Sequence, residues 1–537
     1  MTRRAVESDV CIVGSGISAA MVAERLARTT SASIVVVEAG DETVPLAERP
    51  AMRDRAMRYG ENPWGRDHLD GYEVEGPLQS RSMQVGGLAM HWGGVTPRFS
   101  PEDFRQRSLF GVGTDWPISY EELDPFYQEA EEVMGVAGEQ GPPALDPRGR
   151  PFPMPPISLT YNLEQLKSWV TKAGIAMWSQ PSAKNSVPYG GRAQCCRNDT
   201  CSPICPIGAK YSPDFTWNAL RRGGSLRLVP RTLVRRLVLD PTGKEISHAV
   251  AVDRDRPNDP VEFHAKLFVV AAGYTWSSHL LLLSAQRGAP NGIANSSGHV
   301  GKYLTGHRNV QGFVDLPLRL YPGMNEQHSL VTKQFMRLEA GRKYIRHDLR
   351  VWESSVGKTP RLVDDTGALM LGDAILDDWR KRTRTGTARV RAYYDVIPER
   401  SSELTLDPSR KNAWGDPLPK LAFRDAPESA ELRGPTEDSI RSLFAAMAKA
   451  GDGKVLRTSV DNFQDHPAGG CRMGSEPSTS VVDSWGRSHD HANLFVVGAP
   501  TSVSGSCANA TLTFCALALR SAHELERALP KRGGAGS

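Results

Sequence analysis

The first residues that could do chemistry are four cysteines crowded into the stretch QCCRNDTCSPICPIGAKY, residues 194–211. They are Cys195, Cys196, Cys201 and Cys205, half of the eight cysteines in the chain. Thiols at this spacing could bind an iron–sulfur cluster, bind zinc or form disulfides. Structural zinc prefers two separated C-x2–4-C pairs, and the sequence has no second pair elsewhere. A disulfide fits poorly with a chain in which we identify no signal peptide.

The second candidate site is a nucleotide fingerprint near the N-terminus. The stretch SDVCIVGSGISAAMVAERLAR predicts a strand, a glycine turn and a helix, with Gly14, Gly16 and Ala19 in a G-x-G-x-x-A pattern. The glycines permit a tight turn and a close approach to a pyrophosphate, and the small third residue lets helix and strand pack closely. The next predicted strand, SIVVVEAG, reaches Glu38, at the distance expected for a carboxylate that binds ribose hydroxyls. Together these features predict dinucleotide binding, without separating NAD from FAD.

A second glycine-rich stretch, VGGLAMHWGG, surrounds His91. Two glycine pairs this close either bring backbone against a flat or charged ligand or form two ordinary turns, and the stretch alone favours neither interpretation.

The elements that must position these residues follow an α/β pattern. LFVVAAGYTWSSHLLLL predicts a second strand, turn and helix, and NLFVVGAP followed by ANATLTFCALALRSAHELERAL predicts a third. Ser119 is a candidate cap for a helix through YEELDPFYQEAEEVM. Residues 306–455 predict mixed strands with one helix, LGDAILDDWRKRTR, whose basic end is expected to be solvated. A nucleotide domain in three pieces with a second domain inserted between them is therefore expected.

Composition limits the function classes. The chain has 537 residues and a net charge of +4, which does not favour a nucleic-acid partner. No apolar run reaches the ~18 residues of a membrane span. We therefore expect a cytoplasmic protein, with export only through an escort subunit.

Across nearly its whole length the sequence resembles the glucose–methanol–choline (GMC) family of flavin oxidoreductases. The resemblance lies in GSGISA with Glu38, VGGLAMHW, LFVVAAG, NSSGHVGKYLTGH, HPAGGCRMG and NLFVVGAP…CANATLT. The cysteine loop is similar to that of the branch acting on glucose, gluconate, fructose and sorbitol. The resemblance implies a Rossmann-like FAD-binding domain over residues 1–110, 215–305 and 460–537. It implies an inserted α+β substrate domain over residues 111–214 and 306–459, including the cysteine loop 194–211.

The resemblance also implies roles for individual residues. His466 and Asn509 correspond to the catalytic pair, and His307 is expected to be structural. Some relatives attach FAD covalently at the position of His91 and others do not. The residues implied to contact FAD are Gly14, Gly16, Ala19, Glu38, Gly86, Gly87, His91, Val234, Ala272, Gly498, Ala499 and Thr511.

In this branch the cysteine loop carries an iron–sulfur cluster, 3Fe–4S or 4Fe–4S. The resemblance implies Cys195, Cys196 and Cys201 as ligands, with Cys205 as a further candidate. We therefore expect FAD-dependent oxidation of a sugar or polyol hydroxyl, with electrons passing to an acceptor protein or a small escort subunit. The alternatives are an oxygen-using oxidase of a glycoside or amino sugar, a lyase that uses FAD structurally, and a silent FAD-binding subunit.

Overall fold

The computed structural model describes residues 4–61, 64, 82–197, 200–254, 256–321, 328–352 and 360–531, without the side chains of residues 257 and 456–465. Two residues of the cysteine loop, Asn198 and Asp199, lie outside these ranges. The strands are β1 (Arg4–Val13), β2 (Ile34–Val37), β3 (Trp178–Ser179), β4 (Arg227–Val229), β5 (Thr232–Leu239), β6 (Ile246–Asp253), β7 (Arg256–Val270), β8 (Thr305–Leu316), β9 (Leu330–Thr332), β10 (Leu349–Trp352), β11 (Gly386–Asp395), β12 (Glu403–Lys411), β13 (Pro417–Ala422), β14 (Lys454–Ala468) and β15 (Leu494–Val496). The α-helices are α1 (Ile17–Thr29), α2 (Arg49–Tyr59), α3 (Gln106–Phe110), α4 (Tyr120–Met134), α5 (Tyr161–Lys172), α6 (Pro213–Arg222), α7 (Gly273–Leu283), α8 (Asp373–Thr383), α9 (Pro427–Ala450) and α10 (Thr511–Leu525).

The first sheet has the order β4-β2-β1-β7-β6-β5, and β15 also pairs with β7. Strands β4, β2, β1, β7 and β15 are parallel, while β5 and β6 add an antiparallel arm. All four residues of β2 are buried and apolar, because this strand is covered on both faces. Helices α1, α10 and α4 pack together against this sheet. The predicted α/β class is confirmed.

The second sheet has the order β14-β8-β11-β10-β9-β3 and is antiparallel throughout. One face is apolar and packs on α5 and α9, through residues such as Leu166, Phe444 and Met447. Polar side chains occupy the opposite face, because neighbouring residues of a strand point in opposite directions. A short hairpin of β12 and β13 stands apart from both sheets.

Two expectations about the inserted region differ from the structure. Helix α4 lies in the range 111–214 expected for the substrate domain, yet it packs in the core of the first sheet through Leu123, Tyr127 and Met134. The prediction of one helix between residues 306 and 455 is wrong, because α9 runs for 24 residues there. Gly434 and Pro435 inside α9 resemble a helix breaker in the sequence. The apolar contacts of its other residues hold the helix in place despite them.

Several local predictions agree with the structure. Ser119 caps α4 by accepting from the backbone N–H of Glu122, and Glu122 returns a bond to the Ser119 backbone. Helix α8 contains no buried residue, as a solvated helix would. In the described part of the chain, no helix combines the length and apolarity needed to cross a membrane.

One buried ion pair joins the region of the glycine loops to the second sheet. Arg346 lies just before β10, and its Nη2 is 2.9 Å from Oδ1 of Asp103, with both side chains fully buried. The other Asp103 oxygen accepts from the backbone N–H of Ser100 at 2.6 Å. Removing one charge of such a pair leaves the other buried and uncompensated.

We expect Asp103→Asn to lower the free energy of unfolding by about 3–5 kcal/mol, because it strands the Arg346 guanidinium. Asp365→Asn is the matched control, since Asp365 pairs with Arg361 at the surface and is 89% exposed. The control should leave the melting temperature unchanged. Thermal unfolding of both variants checks the prediction, and similar melting temperatures for the two would contradict it.

Candidate active site

The turn between β1 and α1 is shaped by Gly14. Its φ is +95°, and a Cβ at this position would lie 2.9 Å from the carbonyl oxygen of Ala271 and 3.0 Å from Cα of Ala272. Its N–H donates to the carbonyl of Val37 at 2.8 Å. Only glycine fits such a conformation against another backbone. The structure thus brings the predicted residues Gly14 and Ala272 together.

Helix α1 begins with an open N-terminus. Its N-cap residue is Gly16, which supplies no capping side chain, and a Cβ there would meet no atom within 4 Å. Uncapped N–H groups and the helix dipole bind phosphate well. Ala19, on the first turn, is fully buried, as its packing role requires.

Two further loops converge on this helix start. A Cβ on Gly87, whose φ is +56°, would lie 3.4 Å from Cα of Gly16. The Gly86 N–H donates to Ser15 Oγ at 3.2 Å. A Cβ on Gly498 would overlap the side chain of Ser18. Three separate glycine loops therefore meet around one uncapped helix, which is an arrangement that fits a dinucleotide.

Glu38 lies one residue beyond β2 and next to this turn. Its Oε2 accepts from the N–H and hydroxyl of Ser15 at 2.9 and 2.6 Å, and its Oε1 accepts from Gly40 N–H at 2.8 Å. Burial raises the pKa of this carboxyl. Thr232, the first residue of β5, donates its N–H to the Glu38 carbonyl at 2.8 Å, so buried Val234 follows within two residues. Ribose binding by Glu38 and FAD contact by Val234 stay predictions.

His466 lies near the end of β14, in a left-handed conformation with φ of +50°. Its Nε2 is 3.0 Å from the amide nitrogen of Asn509, and its Nδ1 is 3.0 Å from Nε2 of His307. His307 Nδ1 is in turn 3.2 Å from the carbonyl oxygen of Ser506. The structure therefore joins the two predicted catalytic residues directly.

The direction of these bonds follows from the Ser506 carbonyl, which can only accept. With both rings neutral, His307 donates from Nδ1 and accepts at Nε2. His466 then donates from Nδ1, so its Nε2 is the acceptor for the Asn509 amide. The chain of hydrogen bonds holds a basic lone pair on His466 Nε2, which is what a general base needs.

Asn509 does not cap α10, although an asparagine before a helix often does. The N-cap residue is Ala510 and supplies no side-chain hydrogen bond, so α10 begins uncapped at Thr511. The Asn509 amide nitrogen bonds to His466 instead. Its Oδ1 is buried without a hydrogen-bond partner among the described residues, and it can accept from a ligand.

The segment from Ala499 to Asn509 links the two ends of the site. Gly469, three residues after His466, donates its N–H to the Ala499 carbonyl at 3.0 Å. Gly498 and Ala499 thereby lie between the glycine turns and the histidine pair. The expectation that His307 is structural is incomplete, because it orients His466. Tyr393 was not predicted at all, and its ring centroid lies 4.1 Å from that of His307 and 6.2 Å from that of His466.

His91 stacks on Trp64 with ring centroids 5.4 Å apart, and its Nε2 is 2.8 Å from the amide nitrogen of Gln84. Burial, helped by the charge of Lys210, lowers the pKa of His91 to about 4. The ring is therefore neutral at neutral pH. Trp64 Nε1 donates to the carbonyl of Pro203 at 2.8 Å, so this stack also touches the cysteine loop.

The four cysteines of that loop have different surroundings. Cys201 and Cys205 are buried, Cys195 is half-buried and Cys196 is exposed. Burial raises the pKa of Cys195, and the charges of Cys201 and Cys205 act in the same direction. Among the described side chains, no group of three His, Cys, Asp or Glu residues could hold a single metal ion.

Two buried lysines underlie the cysteine loop. Lys210 donates from Nζ to the carbonyls of Met90, Trp92 and Cys201 at 3.1, 2.7 and 2.7 Å. Burial lowers its pKa to about 8, although the charges of Cys201 and Cys205 favour its protonated form. Lys184 is equally buried, and its charge lowers the pKa of Cys195. Buried cations are costly unless negative charge lies nearby.

The comparisons with known proteins agree with this geometry. A family model described as GMC oxidoreductase matches residues 398–518. The chain is 31% identical to the fructose dehydrogenase large subunit of Gluconobacter japonicus, over 97% of this chain and 98% of that protein. It is 30% identical to the 2-methyl-1,2-propanediol dehydrogenase of Mycolicibacterium austroafricanum, over 98% and 96%.

A solved structure, pyridoxine 4-oxidase from Mesorbium loti, shares the fold with a TM-score of 0.61 at 18% identity, over 97% of this chain and 99% of that one. The chain belongs to the GMC oxidoreductase family. It is an FAD-dependent oxidoreductase of CH–OH groups.

A pair of glycine variants separates folding from FAD binding. We expect Gly14→Ala to lower the melting temperature, because the new Cβ would strain a φ of +95° against Ala271. Gly16→Ala should leave the melting temperature of the FAD-free protein unchanged, since its Cβ meets no protein atom. It should nevertheless reduce the bound FAD per chain, because the methyl occupies the space in front of α1.

Flavin absorbance and thermal unfolding of the FAD-free proteins measure the two effects. A Gly16→Ala variant with full FAD content would show that the cofactor does not approach this helix end.

Proposed function

We propose that the protein oxidises a hydroxyl of a sugar or polyol and passes the electrons through an iron–sulfur cluster to an external acceptor. The observation that carries the first part is the His466–Asn509 pair with His307 behind it. Similarity to proteins named as a fructose dehydrogenase large subunit and a propanediol dehydrogenase supports this substrate class.

Bound FAD supplies the acceptor for the hydride that leaves the substrate carbon. The residues of the chain accept the hydroxyl proton and orient the substrate. His466 Nε2 takes the hydroxyl proton as the C–O bond becomes a carbonyl, so the substrate loses one hydride and one proton. In the structure the Asn509 amide N–H occupies the lone pair of His466 Nε2. When substrate binds, the hydroxyl takes this place at Nε2, and the Asn509 amide donates to the substrate oxygen and holds it in line. His307 keeps accepting from His466 Nδ1, so the imidazolium that forms remains oriented.

Solvent exclusion supports the same chemistry. His307 is fully buried and Asn509 is 6% exposed, so the reacting hydroxyl would sit in a dry site. In such surroundings a proton acceptor and a hydrogen-bond donor act more strongly than in water.

We expect His466→Ala to keep bound FAD and to slow flavin reduction by substrate about 10²–10⁴-fold, because a positioned base is lost. Stopped-flow bleaching of the flavin absorbance under anaerobic conditions measures this step. His264→Ala is the matched control, since His264 lies on β7, pairs with Glu262 and takes no part in the site.

The control should reduce its flavin at the normal rate. If His466→Ala does so too, the base lies elsewhere. Flavin reduction followed by fast reoxidation with O₂, and not with a one-electron acceptor, would identify an oxidase instead.

The second part of the proposal concerns the cysteine loop. Cluster formation needs several thiolates around one inorganic core, each on its own iron atom. Lys210 contacts two of the four cysteines, since its backbone N–H donates to Cys205 Sγ at 3.5 Å and its Nζ donates to the Cys201 carbonyl at 2.7 Å. This convergence supports such a site, and the buried Lys184 and Lys210 supply positive charge for an anionic core. The family resemblance implies Cys196 as a cluster ligand together with Cys195 and Cys201. The Cys196 thiol is exposed and lies in the same loop.

The position of the loop supports a role in electron transfer. Lys210 bridges Cys201 to the backbone of Met90 and Trp92, on either side of His91. Ile204 packs on Met90 and Trp64. The cysteine loop therefore lies directly on the glycine-rich segment at the predicted flavin. A bound cluster would accept electrons from the flavin one at a time at this position. Without a cluster, the two-electron flavin would have to pass its electrons directly to the external acceptor.

We expect replacement of Cys195, Cys196 and Cys201 by serine to remove iron and the broad visible absorbance beneath the flavin bands. Substrate should still reduce the flavin, while reduction of a one-electron acceptor such as cytochrome c falls sharply. Metal analysis of protein purified without air measures the first effect.

Single Cys196→Ser and Cys205→Ser variants decide which thiol completes the site. Melting temperatures must accompany these assays, because a cluster also stabilises its loop. Zinc, or no metal, in the wild-type protein would end the relay proposal.

A further inference from the structure

The connection between β10 and β11 exposes a concentrated apolar surface. We define the α8 segment as residues 360–385, which contain α8 and, before it, a turn of chain in which Val363 and Leu369 form an antiparallel bridge. Of the thirteen large apolar side chains that are exposed in the described part of the chain, six belong to this segment. Their exposed fractions run from 38% to 70%, and they are Leu362, Val363, Leu369, Leu371, Leu376 and Trp379.

The α8 segment is held in shape by contacts within itself. Arg361 pairs with Asp378 at 2.5 Å and with Asp365 at 2.6 Å, so it ties the start of the segment to the helix. The N–H of Met370 donates to the Leu362 carbonyl at 2.8 Å, which closes the turn before the helix. The exposed apolar side chains therefore stand on a built element of the fold.

Helix α8 has eleven residues, and none of them is buried. Isolated helices shorter than about 12–15 residues are marginal in water, and most helices in proteins are stabilised by burying an apolar face. The apolar face of α8 contains Ile375, Leu376 and Trp379, which lie three and four positions apart and so are neighbours on the helix surface. Leu371 lies just before the helix and is 70% exposed. A helix of this length with such a face needs a second surface to cover it.

Charged residues form a stripe along one side of α8. Asp373, Asp377, Arg380 and the C-cap residue Arg384 are separated by four, three and four positions, so they follow one side of the helix. The acidic residues occupy the beginning of this charged stripe, and the basic residues occupy its end. Asp377 and Arg380 are 73% and 65% exposed, so both reach beyond their own chain.

This charge pattern fits a second copy of the helix better than a membrane. Residues 361–384 contain five aspartates and five arginines or lysines, so they have no net charge that would attract an anionic lipid surface. A two-fold axis brings the same patch of two chains together, so the patch must be complementary to itself. Two antiparallel copies of α8 meet this condition, because the acidic end of each charged stripe then lies beside the basic end of the other.

We propose that the α8 segment is the interface of a homodimer in which two copies of α8 pack antiparallel about a two-fold axis. Leu371, Leu376 and Trp379 form its apolar centre. At its edge, the acidic half of each charged stripe pairs with the basic half of the other. The proposal does not depend on the proposed reaction, because the residues of the candidate active site lie on other elements of the chain.

Sedimentation equilibrium of the FAD-loaded protein measures the state of association, and we expect wild-type protein to be a dimer. Leu371→Glu combined with Leu376→Glu should raise the dimer dissociation constant by more than about 100-fold, because four carboxylates would have to be buried at the interface. Bound FAD per chain should stay the same, since both leucines are exposed on the single chain. Met57→Glu is the control, because Met57 is 64% exposed on α2, outside the segment, and this variant should remain a dimer.

Charge reversal tests the antiparallel arrangement. Asp373→Lys with Asp377→Lys makes the whole charged stripe basic, and Arg380→Asp with Arg384→Asp makes it acidic. Each double variant alone should be monomeric, because like charges would then face each other across the interface. An equimolar mixture of the two should form a heterodimer, since the opposite charges are paired again.

Three results would overturn the dimer. The first is wild-type protein that stays monomeric at every concentration measured. The second is a dimer that survives the two leucine replacements, because its interface would then lie elsewhere. The third is monomeric wild-type protein that binds phosphatidylglycerol vesicles through the same leucines, which would identify a lipid surface as the occupant. Charge-reversed variants that stay monomeric when mixed would overturn the antiparallel arrangement.

Discussion

The hydrogen bonds of His466 connect three parts of the chain that are far apart in sequence. The ring comes from the end of β14, its Nδ1 partner His307 from β8, and its Nε2 partner Asn509 from the loop before α10. The Ser506 carbonyl sets the donor and acceptor at every link. Any shift between the second sheet and α10 would break one of these hydrogen bonds. His466 would then no longer be held in one tautomer. The packing of the two sheets therefore fixes the position of the lone pair on His466 Nε2.

The second sheet satisfies two different requirements on its two faces. Its apolar face holds α5 and α9 through ordinary side-chain packing. Its polar face carries His307, Tyr393 and Arg350 in places that water does not reach. Polar groups in such places need partners. Asn509 Oδ1 has none among the described residues, so a bound ligand can supply one.

Sequence patterns predicted the parts of the site that depend on short-range geometry. The Gly14–Gly16 turn, Ala19 and Glu38 occupy fixed spacings along one strand, turn and helix, so their local pattern determines their place. His466 and Asn509 came from the family resemblance, since 43 positions separate them and no spacing rule connects them. The burial of Arg350 on the polar face of the second sheet could not be predicted this way. It stands in the charged stretch RKYIRHDLRVW, which resembles a surface strand, and only the tertiary fold buries it. Helix α9 was not predicted, because Gly434 and Pro435 resemble a helix breaker in the local sequence. The tertiary contacts that hold this helix in place are not visible in the sequence.

The order of the strands in the first sheet has a consequence for synthesis on the ribosome. Strand β1 precedes its parallel neighbour β7 by about 250 residues along the chain, and β15 and α10 come later still. Until α10 emerges, the apolar surfaces of α1 and α4 that it covers stay open to other chains. The nucleotide domain therefore cannot close until α10 has been made, so apolar surface stays exposed over the whole interval between the synthesis of β1 and that of α10.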